Sequence, residues 1–399
     1  MIKKFSFICI ALLFSSFSSN VKAESVKPNI NQTDVFAQNP KKNLAPIPLD
    51  STKADNFIDI RGMGDSGMAL TYRQPPSPDS NLGDGLPANF GVRLDGLDAT
   101  GKSYRGDLSF LNWESVVGIR CNTFRGTPNQ NSFTFVSHPE NLAQAYEKGF
   151  NLIGLANNHS WDCPRGENGL DGALMTASQM ANLTQNLEAN WLWHGVGKPQ
   201  EKNVAVVQTM EIKGRSVRVA FASLYLGGAC NNITCISDRD AILRSLRDAH
   251  ADIRILSLHS WNNQTQQQLV NLGSSFIREY NGDIVFGHGP HVWRPVTIVN
   301  KPSEKQGIMF QSLGNFIHPN LRARGQDMIG RVLIDADTFE IRQVQGIPLR
   351  VNSASATFEG SPNPSTIPTS NFTWQPINSP EWQEDVSPHI RGVYVNLPY

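Results

Sequence analysis

The chain has 399 residues, with 35 basic residues (Lys and Arg) and 35 acidic residues (Asp and Glu), so its formal net charge at pH 7 is zero. Nucleic-acid binding usually leaves a broad basic surface, and this charge balance predicts no nucleic-acid partner. A chain of this length can bury a large core, and we expect one large domain with tails.

The N-terminus has the features of a secretory signal peptide. Lys3 and Lys4 precede a mainly apolar run over residues 5–14, and residues 21–23 offer small side chains for cleavage. The run is too short to cross a hydrocarbon core of ~30 Å, and no later stretch approaches the roughly 18 apolar residues of a transmembrane helix. We expect cleavage after Ala23, no lipid anchor or transmembrane segment in the mature protein, and a periplasmic or secreted location.

The remaining chain divides into three parts by composition. Residues 24–55 are polar and lack apolar periodicity, so they cannot offset the entropy of ordering and are predicted to be a flexible lead-in. Residues 56–350 form the predicted folded domain. Residues 351–399 are rich in Pro, Ser and Asn, but Trp374, Trp382 and the apolar run 393–395 predict that this tail is partly docked.

Within the domain, short β-prone runs alternate with amphipathic stretches. The clearest helix covers residues 139–148, with Pro139 at its start and Gly149 just past its end, and further helices are predicted at 238–249 and 264–280. A strand-like run follows each of them, at 150–155, 252–258 and 283–286. This alternation predicts an α/β fold with a mainly parallel sheet.

Potential metal ligands collect where five predicted strands end. The strands and the residues at or after their ends are 57–63 with Asp65, 108–111 with Asn112 and Glu114, 152–156 with Asn158 and His159, 253–258 with His259, and 284–286 with His288 and His291. In open α/β sheets the functional crevice lies beyond the carboxyl ends of the strands, so these side chains should converge in space.

Each of these residues has an ordinary structural interpretation when it is taken alone. Asp65 and Asn158 could form turns, Glu114 could be a surface carboxylate, and His259 could be a core histidine. Their shared position at strand ends indicates a metal site instead. Imidazole and carboxylate donors suit one or two divalent ions of the Mn, Fe, Zn or Ni type, which activate water and neutralise charge on a phosphoryl group.

Four cysteines remain after the predicted cleavage, and four cysteines allow three pairings. Cys121 follows Glu114 and Cys163 follows His159, so both lie on loops leaving the same edge of the crevice, whereas Cys230 and Cys235 are close in sequence. An oxidising compartment favours disulfides. We expect the bonds Cys121–Cys163 and Cys230–Cys235.

Several motifs occur in the order seen in one protein family. They are Gly64-Asp65, Asn112-Trp113-Glu114, Ala156-Asn157-Asn158-His159, Gly287-His288-Gly289-Pro290-His291 and Ser312-Leu313-Gly314-Asn315-Phe316. Over residues 57–320 the chain resembles the CapA family of capsule and poly-γ-glutamate synthesis proteins, a branch similar to calcineurin-like phosphoesterases. The resemblance implies a metallophosphatase-like α/β sandwich of mixed sheets flanked by helices.

The resemblance also implies roles for individual residues. The implied metal ligands are Asp65, Glu114, Asn158, His259, His288 and His291, with Glu114 bridging. The implied catalytic residues are His159, as an acid or charge stabiliser, and Asn158, and the implied substrate-binding residues are Asn112 and Asn315. The chain departs from the family after His259, where Ser260-Trp261-Asn262-Asn263 replaces the usual Trp, Gly and Glu. Asp65 also lacks the histidine two places on that ordinary phosphoesterases use, and this absence is typical of CapA proteins.

The resemblance implies that the partner is an anionic surface polymer or its precursor, together with other capsule-synthesis subunits. Two functions remain open from the sequence. The crevice could hydrolyse a phosphoester, or less readily an amide, during polymer assembly or release. Alternatively, it could bind polymer or partner subunits without turning anything over, because fold and site do not by themselves name a substrate.

Overall fold

The computed structural model describes residues 44–71, 90–125, 134–228, 230–318, 326–352, 355–358, 366–384, 386 and 390–398, which belong to one compact unit. The predicted signal peptide and residues 24–43 of the lead-in lie outside these residues. No helix within the described ranges is long and apolar enough to span a membrane.

The described residues form short helices and many strands. The helices are α1 Phe90–Asp98, α2 Glu140–Glu147, α3 Gly172–Asn186, α4 Pro199–Lys202, α5 Arg239–Asp248 and α6 Asn263–Glu279. The strands are β1 Phe57–Ser66, β2 Ala69–Thr71, β3 Leu108–Trp113, β4 Val116–Val117, β5 Cys121–Thr123, β6 Phe135–Ser137, β7 Leu152–Gly154, β8 Arg165–Gly166, β9 Leu192–His194, β10 Val206–Ile212, β11 Arg215–Tyr225, β12 Ile253–His259, β13 Ile284–His288, β14 Trp293–Asn300, β15 Gln306–Leu313, β16 Asp327–Asp335, β17 Ile341–Asn352, β18 Ser355–Phe358, β19 Gln375–Pro376 and β20 Val393–Asn396.

Two mixed sheets organise the domain. The first has the strand order β19-β20-β17-β16-β1-β3-β7-β9, with β18 also paired to β17, and the second has the order β10-β11-β12-β13-β15-β14. Each sheet contains a run of parallel strands, β1-β3-β7-β9 in the first and β11-β12-β13-β15 in the second. Antiparallel strands continue the first sheet on the β1 side, through β16, and flank the parallel run of the second sheet on both sides. The mainly parallel sheet predicted from the alternation is therefore two mixed sheets.

The two sheets pack face to face, with helices on their outer faces. Phe110 of β3 stacks on Phe286 of β13 with ring centroids 4.9 Å apart, and Phe221 and Phe310 belong to the same buried cluster. Helices α1, α2 and α3 cover the first sheet, and α5 and α6 cover the second. This is the predicted α/β sandwich of mixed sheets flanked by helices. Truncating a ring such as that of Phe110 would cost about 3–5 kcal/mol.

The three predicted helices are present because their ends are specified locally. Pro139 precedes α2, and Asn262 caps α6 by accepting a hydrogen bond from the Thr265 N–H at 2.8 Å. The strands extend slightly further than predicted. Asp65 pairs with Asn112 across β1 and β3, and His259 pairs with His288 across β12 and β13, so the ladders include several candidate ligands.

A buried ion network ties the start of the described chain to the first sheet. Asp59 accepts hydrogen bonds from both Arg61 and Arg331, and these guanidinium groups also donate to the carbonyls of Ile47 and Leu49. Burial would raise the pKa of Asp59, but the two guanidinium charges hold it well below its usual range. The packed chain therefore begins before the predicted boundary at residue 56. The side chains of Ile47, Leu49 and Ala54 are buried as well, but they are too few and too irregularly spaced to give a periodic apolar pattern.

The C-terminal tail contributes to the same sheet. Strand β20 pairs with β17, and the side chains of Trp374 and Trp382 are buried. Trp382 also donates from its indole nitrogen to Gln345 at 2.9 Å. In the described part of residues 351–399, the aromatic residues that predicted docking are the ones that pack.

Candidate metal centre

The predicted ligands converge at the carboxyl ends of the parallel strands. Asp65 lies near the end of β1, and Glu114 directly follows β3. His259 and His288 are the last residues of the neighbouring strands β12 and β13 in the second sheet. The two sheets meet here, because the Asp65 N–H donates to the Gly314 carbonyl in the loop after β15.

Two groups of donor atoms form the centre. The first comprises Asp65, His259 and His288, and the second comprises Asp65, Glu114 and His291; within each group the donor atoms lie within 4.8 Å of one another. Asp65 is thus the carboxylate common to both groups. Glu114 belongs to the second group only, and its implied role as the bridging ligand stays a prediction.

The chain's own contacts fix the orientation of the histidine rings. His288 Nε2 lies 2.7 Å from Ser257 Oγ, which leaves its Nδ1 facing Asp65 Oδ1 at 3.6 Å and His259 Nδ1 at 2.8 Å. His259 Nε2 lies 2.6 Å from Asn158 Oδ1. A partner on the outer ring nitrogen is the usual way in which proteins orient metal-binding histidines.

Charge and burial keep these groups in the forms that bind metal. Burial lowers the pKa of His288 to about 4, and burial followed by the charge of His288 lowers the pKa of His259 well below its usual range. Burial alone would raise the pKa of Asp65, but the hydrogen bond from His291 and the charges of the three histidines hold it well below normal. Neutral imidazoles beside an ionised carboxylate are competent ligands.

These residues fit a divalent metal. Ligand atoms around one ion, with bonds of about 2.0–2.2 Å, lie at most about 4.4 Å apart, close to the spread within each group. The donors combine imidazole nitrogens with carboxylate oxygens, which suits borderline divalent ions better than calcium. The shared Asp65 allows one or two ions. The structure therefore contains a possible divalent-metal site built from the predicted residues.

The turn that carries His291 depends on an unusual backbone. Gly289 has φ +106°, and a Cβ there would lie 1.6 Å from the Ser260 carbonyl oxygen, so only glycine fits. Its N–H donates to Asp65 Oδ2 at 3.0 Å. His291 itself has φ +59°, which is uncommon for a non-glycine residue, and its Nδ1 lies 2.9 Å from the same carboxylate oxygen.

The amides of Asn112 and Asn315 lie behind the ligands. Asn112 is fully buried and donates from Nδ2 to Asp65 Oδ1 at 2.8 Å, and Asn315 is fully buried with its Oδ1 3.0 Å from His291 Nδ1. Both side chains are therefore placed to orient candidate metal ligands, and the substrate-binding role implied for them stays a prediction. Asn158 lies against His259, as described above.

His159 stands beside the two donor groups. Its Nδ1 contacts Asp162 Oδ2 at 2.5 Å, and its Nε2 lies 3.9 Å from Glu114 Oε1. Asp162 is buried and also accepts the Phe135 N–H at 2.8 Å, so its carboxylate is itself held in place. A histidine with one nitrogen fixed by a carboxylate presents the other for proton transfer.

Three supporting residues were given no role by the sequence. Ser257 precedes His259 by two positions on the same face of β12, so strand periodicity could have suggested it. Asp162 lies three residues after His159, just beyond the motif Ala156-Asn157-Asn158-His159. His318 is buried with its Nε2 3.4 Å from the Glu114 carbonyl oxygen, and burial lowers its pKa to about 3. No sequence signal pointed to His318.

The cysteines divide into one disulfide and two thiols. The Cys121–Cys163 bond is present, as predicted. Cys230 and Cys235 are free, so the second predicted disulfide is wrong. Instead, a hydrogen bond between the two thiols lowers the pKa of Cys235 to about 6, and Cys235 Sγ lies 3.2 Å from Ser237 Oγ.

The fold and donor set define an α/β sandwich with a possible divalent-metal site, and sequence comparison gives its family. Residues 98–320, more than half of the chain, match the family described as Bacterial capsule synthesis protein PGA_cap. The chain therefore belongs to this family of capsule synthesis proteins.

Individual relatives are more distant. The chain is 26% identical over 243 residues to the capsule biosynthesis protein CapA of Bacillus anthracis, and the match covers 57% of this chain and 53% of that protein. The chain thus spans about half the length of this curated relative. Solved structures are similar to this chain as well. One is described as a novel phosphatase from Mycoplasma pneumoniae, at 14% identity and TM-score 0.44, and the match covers 74% of this chain and 94% of the other. Another is a hypothetical protein from Thermus thermophilus, at 12% identity and TM-score 0.42, covering 73% and 99%.

Proposed function

We propose that this protein is an exported, metal-dependent phosphoester hydrolase that acts on an anionic surface polymer or its precursor. The observation that carries the proposal is the pair of donor groups sharing Asp65, with the His159–Asp162 pair beside them. Family membership and the similarity to the capsule biosynthesis protein CapA support a role in capsule synthesis. Poly-γ-glutamate is the polymer suggested by the sequence resemblance, and other capsule-synthesis subunits are the proposed partners.

The residues divide the work between metal binding and proton transfer. Asp65, His259 and His288 would hold one ion, and Asp65, Glu114 and His291 a second, of the Mn, Fe, Zn or Ni type. Such ions activate water as a nucleophile and neutralise charge on phosphoryl oxygens. The ligand side chains would hold the ions in fixed positions, because most of these side chains are buried and each histidine ring makes a second contact.

His159 is the proposed acid. Asp162 accepts from Nδ1 and so fixes the ring orientation, which leaves Nε2 as the nitrogen that faces the donor groups. When the ring is protonated, Nε2–H can donate to the leaving oxygen and Asp162 stabilises the resulting charge distribution. A positioned acid of this kind contributes typically about 10²–10⁴-fold to rate.

Metal-stripped and metal-reconstituted protein should be compared on a panel of phosphomonoesters and phosphodiesters. We expect turnover only after reconstitution, and we expect His159→Ala to lower kcat by about 10²–10⁴-fold while metal content stays unchanged. His250→Ala is the matched control, because His250 is an exposed histidine after α5, outside the centre. If the reconstituted protein hydrolyses none of these esters but binds polymer, the hydrolase proposal fails and the binding hypothesis replaces it.

A further inference from the structure

Arg125 occupies a fixed position beside the candidate metal centre. Its Nη1 donates to the Asn158 carbonyl at 2.9 Å, and its guanidinium carbon lies 4.6 Å from the centroid of the Trp161 ring. Its backbone N–H donates to the Asp162 carbonyl at 3.0 Å. These contacts join Arg125 to the segment that carries Asn158 and His159.

The contacts hold the guanidinium but use only part of it. Nη1 makes the hydrogen bond, and it approaches Asp162 Oδ1 only to 3.7 Å, too far for a hydrogen bond. Among the described residues no group accepts from Nε or Nη2. These two nitrogens form one edge of the guanidinium, the edge that binds carboxylate or phosphate oxygens in a bidentate manner.

A structural arginine in the same protein looks different. Arg331 is fully buried and donates from Nε, Nη1 and Nη2 to Asp59, Gln345 and backbone carbonyls. The side chain of Arg125 is 49% exposed and leaves an edge available. An arginine that stacks on an aromatic ring and keeps this edge free is suited to binding a ligand, whereas Arg331 stabilises the fold.

The neighbouring tryptophan adds a second donor. The indole Nε1 of Trp161 is shielded from solvent and has no hydrogen-bond partner among the described residues. Buried donors are normally satisfied, and an oxyanion bound beside the Trp161 ring would supply an acceptor for this N–H. Trp161 also packs edge-on against Tyr225, whose ring lies 5.9 Å from that of His259. The cluster of Arg125 and Trp161 is thus continuous with the metal centre.

We propose that Arg125 and Trp161 form an oxyanion-binding subsite on the His159 side of the centre. The subsite binds a carboxylate or phosphate group of the substrate adjacent to the bond that is cleaved. The inference rests on the proposed function in that it takes the crevice to receive an anionic substrate. It adds a specificity determinant that is separate from the metal ligands.

The test compares Arg125→Ala and Arg125→Lys with wild-type full-length protein loaded with Mn. Binding of inorganic phosphate and of a γ-linked glutamate pentamer is measured by calorimetry at low salt. Because hydrogen bonds to charged groups are strong, we expect Arg125→Ala to weaken binding of at least one of the two probes about 10- to 100-fold. Arg125→Lys keeps the charge but loses the planar fork, so an intermediate loss is expected.

Arg247→Ala is the matched control, because Arg247 also lies over an aromatic ring, that of Tyr280, on the exposed surface of α5. It should bind both probes like wild type, and all variants should keep wild-type metal content and unfolding midpoint. A loss confined to the pentamer identifies a carboxylate subsite, and a loss confined to phosphate identifies a phosphate subsite.

The subsite proposal is overturned if wild type and Arg125→Ala bind both probes with equal affinity, or if wild-type protein binds neither probe. It is also overturned if Arg247→Ala loses as much affinity as Arg125→Ala. If Arg125→Ala does not fold, Arg125→Lys decides by the same criteria. Ester hydrolysis measured in parallel keeps the two proposals apart, because a protein that hydrolyses nothing can still lose pentamer binding when Arg125 is replaced.

Discussion

The orientation of each imidazole is the feature on which the centre depends at the scale of single residues. His288 illustrates this, because one ring nitrogen contacts Ser257 and the other faces Asp65 and His259. Without Ser257 the ring could rotate and the neutral nitrogen would lose its fixed direction. The serine hydroxyl would therefore affect a bound metal through the orientation of the histidine ring.

Ser257→Ala should lower metal affinity about 10- to 100-fold, the usual effect of removing a group that orients a metal ligand. The measurement is competition with a chelator of known affinity. Ser216→Ala is the control, since Ser216 contacts Glu211 in the β10–β11 hairpin away from the centre. Unchanged affinity in Ser257→Ala would show that His288 does not need this contact.

Residue-level reasoning from sequence named most of the residues that cluster at the centre but not the side chains that support them. Asp65, Glu114 and His288 were recognisable because they end strands, and strand ends meet at one edge of a sheet. The roles of Asn112 and Asn315 depended on which side chain each amide faces, and that follows from the register between strands. Arg125 carries no local signal at all, since its position is fixed by Trp161 and Asn158.

At the scale of elements, the Cys121–Cys163 bond joins strand β5 to the segment after His159. Cys121 also pairs with Gly166 in β8, so the bond reinforces a small two-stranded sheet beside the centre. This connection restrains Asp162, next to Cys163, and through it the ring of His159.

Replacing both cysteines, as Cys121→Ser with Cys163→Ser, should destabilise the protein by about 2–5 kcal/mol and lower kcat through loss of His159 alignment. Denaturant unfolding and turnover with reconstituted metal measure the two effects. Cys230→Ser with Cys235→Ser serves as the control because these thiols form no disulfide. Wild-type stability in the first variant would contradict the assigned role of the bond.

Helices were easier to predict than sheets for a physical reason. The ends of α2 and α6 are specified by residues within one turn, Pro139 and Asn262. Strand β1, in contrast, lies between β3 and β16, and β16 begins at Asp327, far along the chain. Periodicity reveals a strand but not its partner, so the sandwich of mixed sheets was predicted by the family resemblance and not by the periodicity.

At the scale of the whole molecule, the centre exists only because two sheets pack against each other. Asp65 comes from the first sheet and His259 and His288 from the second, and the Phe110–Phe286 stack lies between the sheets. Separating the sheets would remove the histidines from the carboxylate. Metal binding and the packing of the sandwich are therefore thermodynamically linked, and bound metal should stabilise the fold.

The most direct test is the metal content of purified protein after reconstitution with Mn, Fe, Zn or Ni, determined by elemental analysis. Wild-type protein should retain one or two ions per chain, and His288→Ala and His291→Ala should each retain much less while circular dichroism shows a folded protein. His250→Ala is the matched control, since His250 has φ +49° and His291 has φ +59°, so both replacements carry similar backbone strain. Wild-type protein that retains no stoichiometric metal, or His288→Ala and His291→Ala variants that retain as much as His250→Ala, would contradict the account.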